Sequence, residues 1–410
     1  MNKEKNTFSN SELIALSHEL KNTPRKANQS NSYKDMSYTN AANNRNRNED
    51  ETDFYANDSE YQTPEKQHEK KKEKGRSRKA NKNNKKQKRN GKKKKHSFLF
   101  RFFRFIFICA ILGIIFLFLF FKTSLFQKYK ELWVQTAMST MNHQWLATMF
   151  LSQEEIDEIM GNLEVQNNEN SNSSDIHISP FHFGENVTYE EISGKGYKGH
   201  VILVKDPSKV EIIDTRKKTT GTKLGEIVKS NNAVAGINAG GFKDEGGHGK
   251  GNVLAKSMII DKTLYNGNKS TRYQFIGMSK EGKLILGKYT YQEAMRAGIN
   301  SAVEFGPYLI VNGKNQIKNS NSGGIQPRTA IGQKKDGTII MVCIDGRKPG
   351  YSLGATLMDL QNVFNKYGAH NAANLDGGSS STMYYNGKLV NKPSTPIGER
   401  YLPNAIIVKK

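Results

Sequence analysis

The 410-residue chain holds only two cysteines. Cys109 falls in an apolar run and Cys343 in an expected buried strand, too far apart in context to pair, so there is no disulfide framework. A domain with a sizeable core can do without one, and the shortage says nothing about compartment. Several fixed-spacing catalytic signatures are also missing. The chain has no Walker loop, no GxSxG elbow, no HExxH and no Cys/His set spaced for zinc. His248 stands alone in the glycine-rich run GGHGKGN, which reads equally as a ligand contact or a solvated loop. Acidic residues are scarce: 62 Lys and Arg face 39 Asp and Glu, for a net charge of +23.

That charge is unevenly spread. Residues 1–104 carry net +14, residues 105–184 net −5 and residues 185–410 net +14. The first stretch has almost no apolar clusters and cannot bury enough surface to offset the entropy of ordering, so residues 1–97 are expected to be disordered. From Phe98 to Phe121 the sequence reads FLFRFFRFIFICAILGIIFLFLFF, with no charge after Arg104. A helix of that length spans about 36 Å, enough for a hydrocarbon core of about 30 Å. The basic run Lys70–Lys95 lies upstream, whereas only Lys122, Lys128 and Lys130 follow closely. The imbalance predicts a cytoplasmic N-terminus, an uncleaved signal anchor and an extracellular C-terminal domain. The same run lacks interleaved aromatics, which argues against nucleic acid and for anionic lipid head groups, or for a topology signal alone.

Residues 122–184 read as a helical stalk, apolar at roughly helical spacing over 124–164, followed by the polar linker NNENSNSSD. The remaining 185–410 form the one substantial domain. Short β-branched runs at 200–207, 209–215, 232–240, 257–266, 274–279, 283–287, 329–333, 338–346 and 404–409 predict strands. Segments 222–230, 289–298 and 356–367 predict helices, the last with a Gly368 stop. The fold class expected is α+β, a mixed β-sheet with packed helices.

Four glycine-flanked polar clusters follow expected strands: Gly236–Phe242 with Asn238, Gly240 and Gly241; Gly306–Tyr308 together with Gln326–Gly332, which carries Arg328; Ile344–Arg347 with Asp345 and Arg347; and Asn374–Thr382, NLDGGSSST. In the last, Asp376 would stand beside a loop of N–H and hydroxyl donors from Gly377, Gly378, Ser379 and Ser380, which suits an anion such as phosphate. Arg328 and Arg347 add fork-shaped donors. Each piece alone has a plainer structural reading: Asp345-Gly346 as a turn, Arg328 as an ion pair, Asn238 as a cap on loop backbone.

The ordered run GINAGGF, FGPYLI, QPRTAIG, CIDGR, GYSLGATLMDL, NLDGGSSSTM and RYLPNAIIV resembles the phosphodiester glycosidase family over about residues 185–410. It departs from the Asn-Gly-Gly form associated with that family by placing Ala239 after Asn238. The resemblance implies hydrolysis of the bond between a sugar anomeric carbon and a phosphodiester, acting here on an envelope glycopolymer such as a teichoic-acid-like chain or an exopolysaccharide. Glycoside hydrolysis usually uses two carboxylates. Asp376 and Asp345 are the expected catalytic pair, with Glu304 in reserve. Arg328, Arg347, Ser379 and Ser380 would hold the phosphate, and Asn238 the sugar. No cofactor is required by any pattern, although Asp345, Asp376 and nearby carbonyls would suit Ca2+ or Mg2+. Two other readings stay open: a non-catalytic module binding anionic polysaccharide through its basic face, and a phosphodiesterase that cuts P–O.

Overall fold

The computed structural model describes residues 83–140, 143–165, 169–179, 184–244 and 249–410. Most of the stretch expected to be disordered, and His248, lie outside the described residues. One helix, Asn83–Lys122, joins the end of the basic run to the apolar run without a break. Its segment Phe98–Lys122, with mean hydropathy 2.8, is the one helix long and apolar enough to cross a membrane among the described residues. From Phe98 to Phe118 its large apolar side chains are exposed among the described residues.

Behind it, helices Gln127–Met138, Trp145–Thr148 and Gln153–Asn162 bury Val134, Ala137, Ala147, Leu151, Ile156 and Ile159 against Phe121. Ser152 and Glu155 close a capping box at the start of the third helix. The bundle also bonds to the larger domain. Gly323 and Ile325 donate backbone N–H groups to Gln135 Oε1 and Thr136 Oγ1, each at 3.1 Å, and Asn321 Nδ2 donates to Lys128 O at 2.9 Å. At Gly324, φ is +58° and a Cβ would lie 2.6 Å from the Thr136 nitrogen. A Gly324→Ala chain should therefore lose about 2 kcal/mol from the left-handed backbone and the clash with helix backbone. Its melting temperature should fall by roughly 5 °C, and limited proteolysis should cut faster between bundle and domain.

The domain is α+β, built from antiparallel sheets. Seven strands run in the order Val187–Gly194, Tyr197–Val204, Ile339–Ile344, Arg328–Gln333, Asn371–Asn374, Tyr308–Val311 and Lys314–Asn315. Two five-stranded sheets join them. One is centred on Ala233–Asn238 between Met383–Tyr385 and Asn404–Lys409, the other on Ser301–Glu304 between Met258–Ile260 and Tyr273–Met278. The inner faces of all three meet in one core containing Ile202, Ile237, Met258, Ile276, Tyr308, Ile331, Met341 and Ile406.

Period-two alternation sends the neighbouring residues Ala330, Ile340, Val342 and Ile344 to the opposite face of the large sheet. There they pack on helix Leu357–Lys366 through Leu357, Leu360, Val363 and Phe364. A capping box of Thr356 and Asp359 starts that helix. Burying each of these large side chains contributes about 1.5–3 kcal/mol. Gly332 is required beneath it, since a Cβ would come 2.7 Å from the Phe364 ring.

The structure differs from the sequence expectation at 257–266. What reads as one strand is a hairpin, Met258–Ile260 and Thr263–Tyr265, turned by Asp261 and Lys262 at φ +45° and +63°. Two successive left-handed residues give the turn that matches strand twist, and an Asp-Lys pair is a weak written signal for it.

Candidate active site

The site forms where the central strand of one sheet meets two strands of another. After Asn374 the chain leaves its strand, and the Asp376 N–H donates to Ala239 O at 2.9 Å. Asn238 ties the junction together. Its Nδ2 donates to Asp376 O at 2.6 Å, and its Oδ1 accepts from Thr329 Oγ1 at 2.8 Å and from the Thr382 N–H at 3.1 Å. Asn238 is 1% exposed, so it works inside the junction and fixes Asp376 from behind. The Gly240 N–H donates to Asn404 Oδ1 at 2.6 Å, and Gly241 brings its backbone close to the Asp376 carboxyl: a Cβ there would lie 3.9 Å from Cγ.

Asp376 is partly exposed. Burial pushes its carboxyl up to about 6, against the opposing pull of the Ser380 side chain, the Arg400 charge and the Gly377 N–H. Ser379 Oγ accepts from Arg400 Nη1 at 3.0 Å. Arg400 also pairs with Asp244, and its guanidinium lies 4.6 Å from the centroid of the Phe242 ring. On the other side Arg347 takes a left-handed φ of +58° and is exposed. A Cβ at Gly378 would sit 3.1 Å from the Arg347 guanidinium, and Gly378 itself has φ +58°, so glycine is needed there twice over. Asp376 thus has Ser379 and Ser380 in its own loop and the Arg400 charge acting on it, while Arg347 lies against Gly378 of the same loop.

The loop offers fewer free amides than its composition suggests. Gly378–Ser380 closes as a short 3-10 turn, in which the Gly378 N–H donates to Pro327 O at 2.9 Å, Ser380 to Gly377 O at 3.1 Å and Ser381 to Gly378 O at 3.3 Å. Three of the loop amides are thus spent inside the fold.

Arg328 does not reach this loop. It lies one residue before Thr329 on the same strand, and alternation sends the two side chains to opposite faces. The guanidinium is buried and donates to the carbonyls of Gly323 (2.6 Å), Gly324 (2.8 Å) and Ala355 (3.0 Å). Burial, and then the charge of Arg347, lowers its pKa. It makes no ion pair among the described residues, and it braces the segment that docks on the stalk bundle.

Asp345 is equally enclosed. Its carboxylate accepts from the Lys392 N–H (2.8 Å), Tyr351 Oη (2.9 Å) and, at 3.4 Å, Asn391 Nδ2, and contacts His200 Nε2 at 3.4 Å. Burial would raise its pKa, but the bonds from His200, Lys392 and Tyr351 together hold it below the usual value. Glu304 accepts from the Ser257 N–H at 2.9 Å and is only partly buried. The next residue, Phe305, packs toward Gly241, where a Cβ would lie 3.3 Å from its ring.

No group of three or more His, Cys, Asp and Glu comes together among the described residues. The Asp345 oxygens face N–H and O–H groups, whose hydrogens rather than lone pairs point inward, so its surroundings do not fit a divalent cation. A groove of about 930 Å3 along the edge strand Val210–Asp214 shares no lining residue with the Asp376 loop. Sequence reasoning left Arg400, Asp244 and Phe242 unassigned. Phe242 and Arg400 belong to the motifs GINAGGF and RYLPNAIIV, but only the fold shows that the two ends of the domain meet.

The family model for phosphodiester glycosidase matches residues 231–409. Over those residues the C-terminal domain is similar to the phosphodiester glycosidase family. The SPbeta prophage-derived uncharacterized protein YomE of Bacillus subtilis is 29% identical, over 45% of this chain and 30% of its own length. The mouse N-acetylglucosamine-1-phosphodiester alpha-N-acetylglucosaminidase is 25% identical over 49% of this chain and 42% of its own. The chain therefore spans less than half the length of these curated relatives. Among solved structures, the catalytic domain of the zebrafish enzyme of that name, auto-inhibited by its pro-peptide, has a TM-score of 0.47 and 19% identity, over 59% of this chain and 88% of its own.

Proposed function

We propose that this domain is an extracytoplasmic hydrolase, a phosphodiester glycosidase, held to the membrane by Phe98–Lys122 with its N-terminus inside. It cleaves sugar-1-phosphodiester bonds in envelope or exopolysaccharide glycopolymers and leaves a phosphomonoester. The observation that carries this reading is Asp376, a carboxyl held near neutrality in a loop with Ser379 and Ser380 that Arg347 and Arg400 adjoin. Anchor and orientation rest on the apolar helix and on the basic residues upstream of it.

In the reaction, water replaces the phosphate oxygen at the sugar anomeric carbon. The electron pair of the breaking C–O bond leaves with the phosphomonoester. Arg347 and Arg400 stabilise that charge, and the Ser379 hydroxyl orients it. Such a leaving group needs little protonation, so Asp376 acts in its ionised form, as base or nucleophile, with Glu304 the more accessible second carboxylate. Asn238 positions Asp376, and Arg328 and Asp345 hold the surrounding backbone.

The reaction is tested in oxygen-18 water with a synthetic N-acetylglucosamine 1-phosphodiester. Label entering the sugar hydroxyl is the expected result. Label in the phosphate would make the protein a P–O-cleaving phosphodiesterase, and tight binding without turnover would make it a binding module.

A further inference from the structure

Beside the Asp376 loop stand two further cations, Lys198 and Lys392, that have no role in the reaction above. The hairpin after Asp345 is closed by a bridge between Lys348 and Ser352, and it carries Arg347 and Tyr351. The Tyr351 hydroxyl is fixed by donation to Asp345, and its ring holds two ammonium groups, Lys392 at 3.9 Å and Lys198 at 5.0 Å from the centroid. Cation–π contact fixes long, flexible side chains that would otherwise wander. The backbone locks the same three segments: Asp345 N–H donates to Lys198 O at 2.9 Å, Lys198 N–H to Ser352 Oγ at 3.0 Å, and Lys392 N–H to Asp345 Oδ1 at 2.8 Å.

Lys198, Arg347 and Lys392 are all exposed, and none takes part in an ion pair among the described residues. The acidic groups near them are Asp345, already saturated, and Glu191, which is exposed and accepts from Tyr189 Oη at 3.4 Å. The cluster runs continuously into the active site. Arg347 reaches Gly378, and Asn391, next to Lys392, donates to Ser381 O at 3.0 Å. Ammonium groups held in place, unpaired and adjoining a phosphate-binding loop form a site for a second phosphate.

We propose that Lys198 and Lys392, with Arg347 shared between the two sites, form an anion subsite. It takes the neighbouring phosphate of a polyanionic glycan while the scissile phosphodiester lies at Asp376. The inference rests on the proposed hydrolase reading and narrows its substrate to a chain of repeated phosphates.

Two synthetic substrates test it on the full chain: N-acetylglucosamine 1-phosphodiester of glycerol, and the same sugar phosphate capping a chain of four glycerol phosphates. For the wild type, kcat/KM should be about tenfold higher for the longer substrate at low salt, and the advantage should shrink as salt rises. The Lys198→Ala/Lys392→Ala chain should bring the ratio close to one, and Lys198→Arg/Lys392→Arg should restore it, which a merely structural role would not produce. A wild-type ratio near one, or a ratio kept by the alanine chain, overturns the subsite. If neither substrate is cleaved, the hydrolase reading falls by itself. Calorimetry with a glycerol phosphate tetramer then reads the subsite alone: binding lost in the alanine chain supports it, and absent or unaltered binding overturns it.

Discussion

Asp376→Asn should lower kcat/KM on a sugar 1-phosphodiester by about a thousandfold or more, the scale at which a positioned base or nucleophile contributes to catalysis. The change keeps the shape, and the amide oxygen can accept from the Gly377 N–H while the amide nitrogen donates to the Ser380 hydroxyl. It removes only the group that can accept a proton or attack carbon. A variant that turns over substrate at the wild-type rate would remove Asp376 from the chemistry.

The pH profile gives the same assignment independently. The Asp376 carboxyl is pushed up to about 6, first by burial. Acting ionised, it should give kcat/KM that rises with pH and levels off above about 6. A general acid would give the opposite limb, with activity falling above that value. Bound phosphodiester brings another negative charge close by and disfavours the carboxylate, so the limb in kcat should lie at higher pH than the limb in kcat/KM.

Stability runs the other way. A carboxyl whose folded value is raised holds its proton more firmly in the folded chain. Its contribution is complete below the ordinary Asp value and is lost as pH climbs through about 6. At neutral pH the ionised group therefore weighs against folding, and Asp376→Asn should melt no lower than wild type. Activity lost without lost stability separates a chemical role from a structural one.

Much of the domain was legible because two periodicities are written plainly. Helix Leu357–Lys366 has apolar residues at helical spacing, a Thr cap and Gly368 after it, and it forms where those signals place it. The strands Ile339–Ile344 and Asn404–Lys409 are β-branched runs and stand in the sheets. Val187–Gly194 has two adjacent glutamates, too polar to announce a strand, and is held as an edge by register with Tyr197–Val204.

Within the site, NLDGGSSST could be read as a loop of polar donors around a carboxylate. Which donors are spent could not be read, because bonds such as Gly378 N–H to Pro327 O join segments far apart in sequence. Arg328 and Thr329 are the sharpest example. Sequence places them side by side in one motif, whereas the pleat separates them onto two faces, one toward Asn238 and one toward Ala355. Arg400 could not be found this way at all, since its proximity to Ser379 and Phe242 exists only after the sheets close.

Asn238→Ala should cost the fold as well as the reaction, and the combination decides between two roles. The sequence leaves this amide two roles, a contact to the sugar or a cap on loop backbone. In the structure its oxygen accepts from Thr329 Oγ1 and the Thr382 N–H while its nitrogen donates to Asp376 O, all at a position 1% exposed. Alanine strips partners from a hydroxyl, an amide and a carbonyl that have little water to replace them. Leaving such groups unsatisfied costs about 1–3 kcal/mol each before relaxation, so about 3–5 kcal/mol together is expected. For a domain of this size that is a fall of roughly 10 °C in melting temperature. The released Asp376 backbone should lower kcat by about a hundredfold, the price of misplacing a reacting group by an ångström or so. An amide whose role is to bond a sugar hydroxyl would behave differently: KM would rise, melting temperature would hold, and a substrate lacking that hydroxyl would be cleaved equally by wild type and variant. That pattern would move Asn238 from the frame of the site into its binding surface.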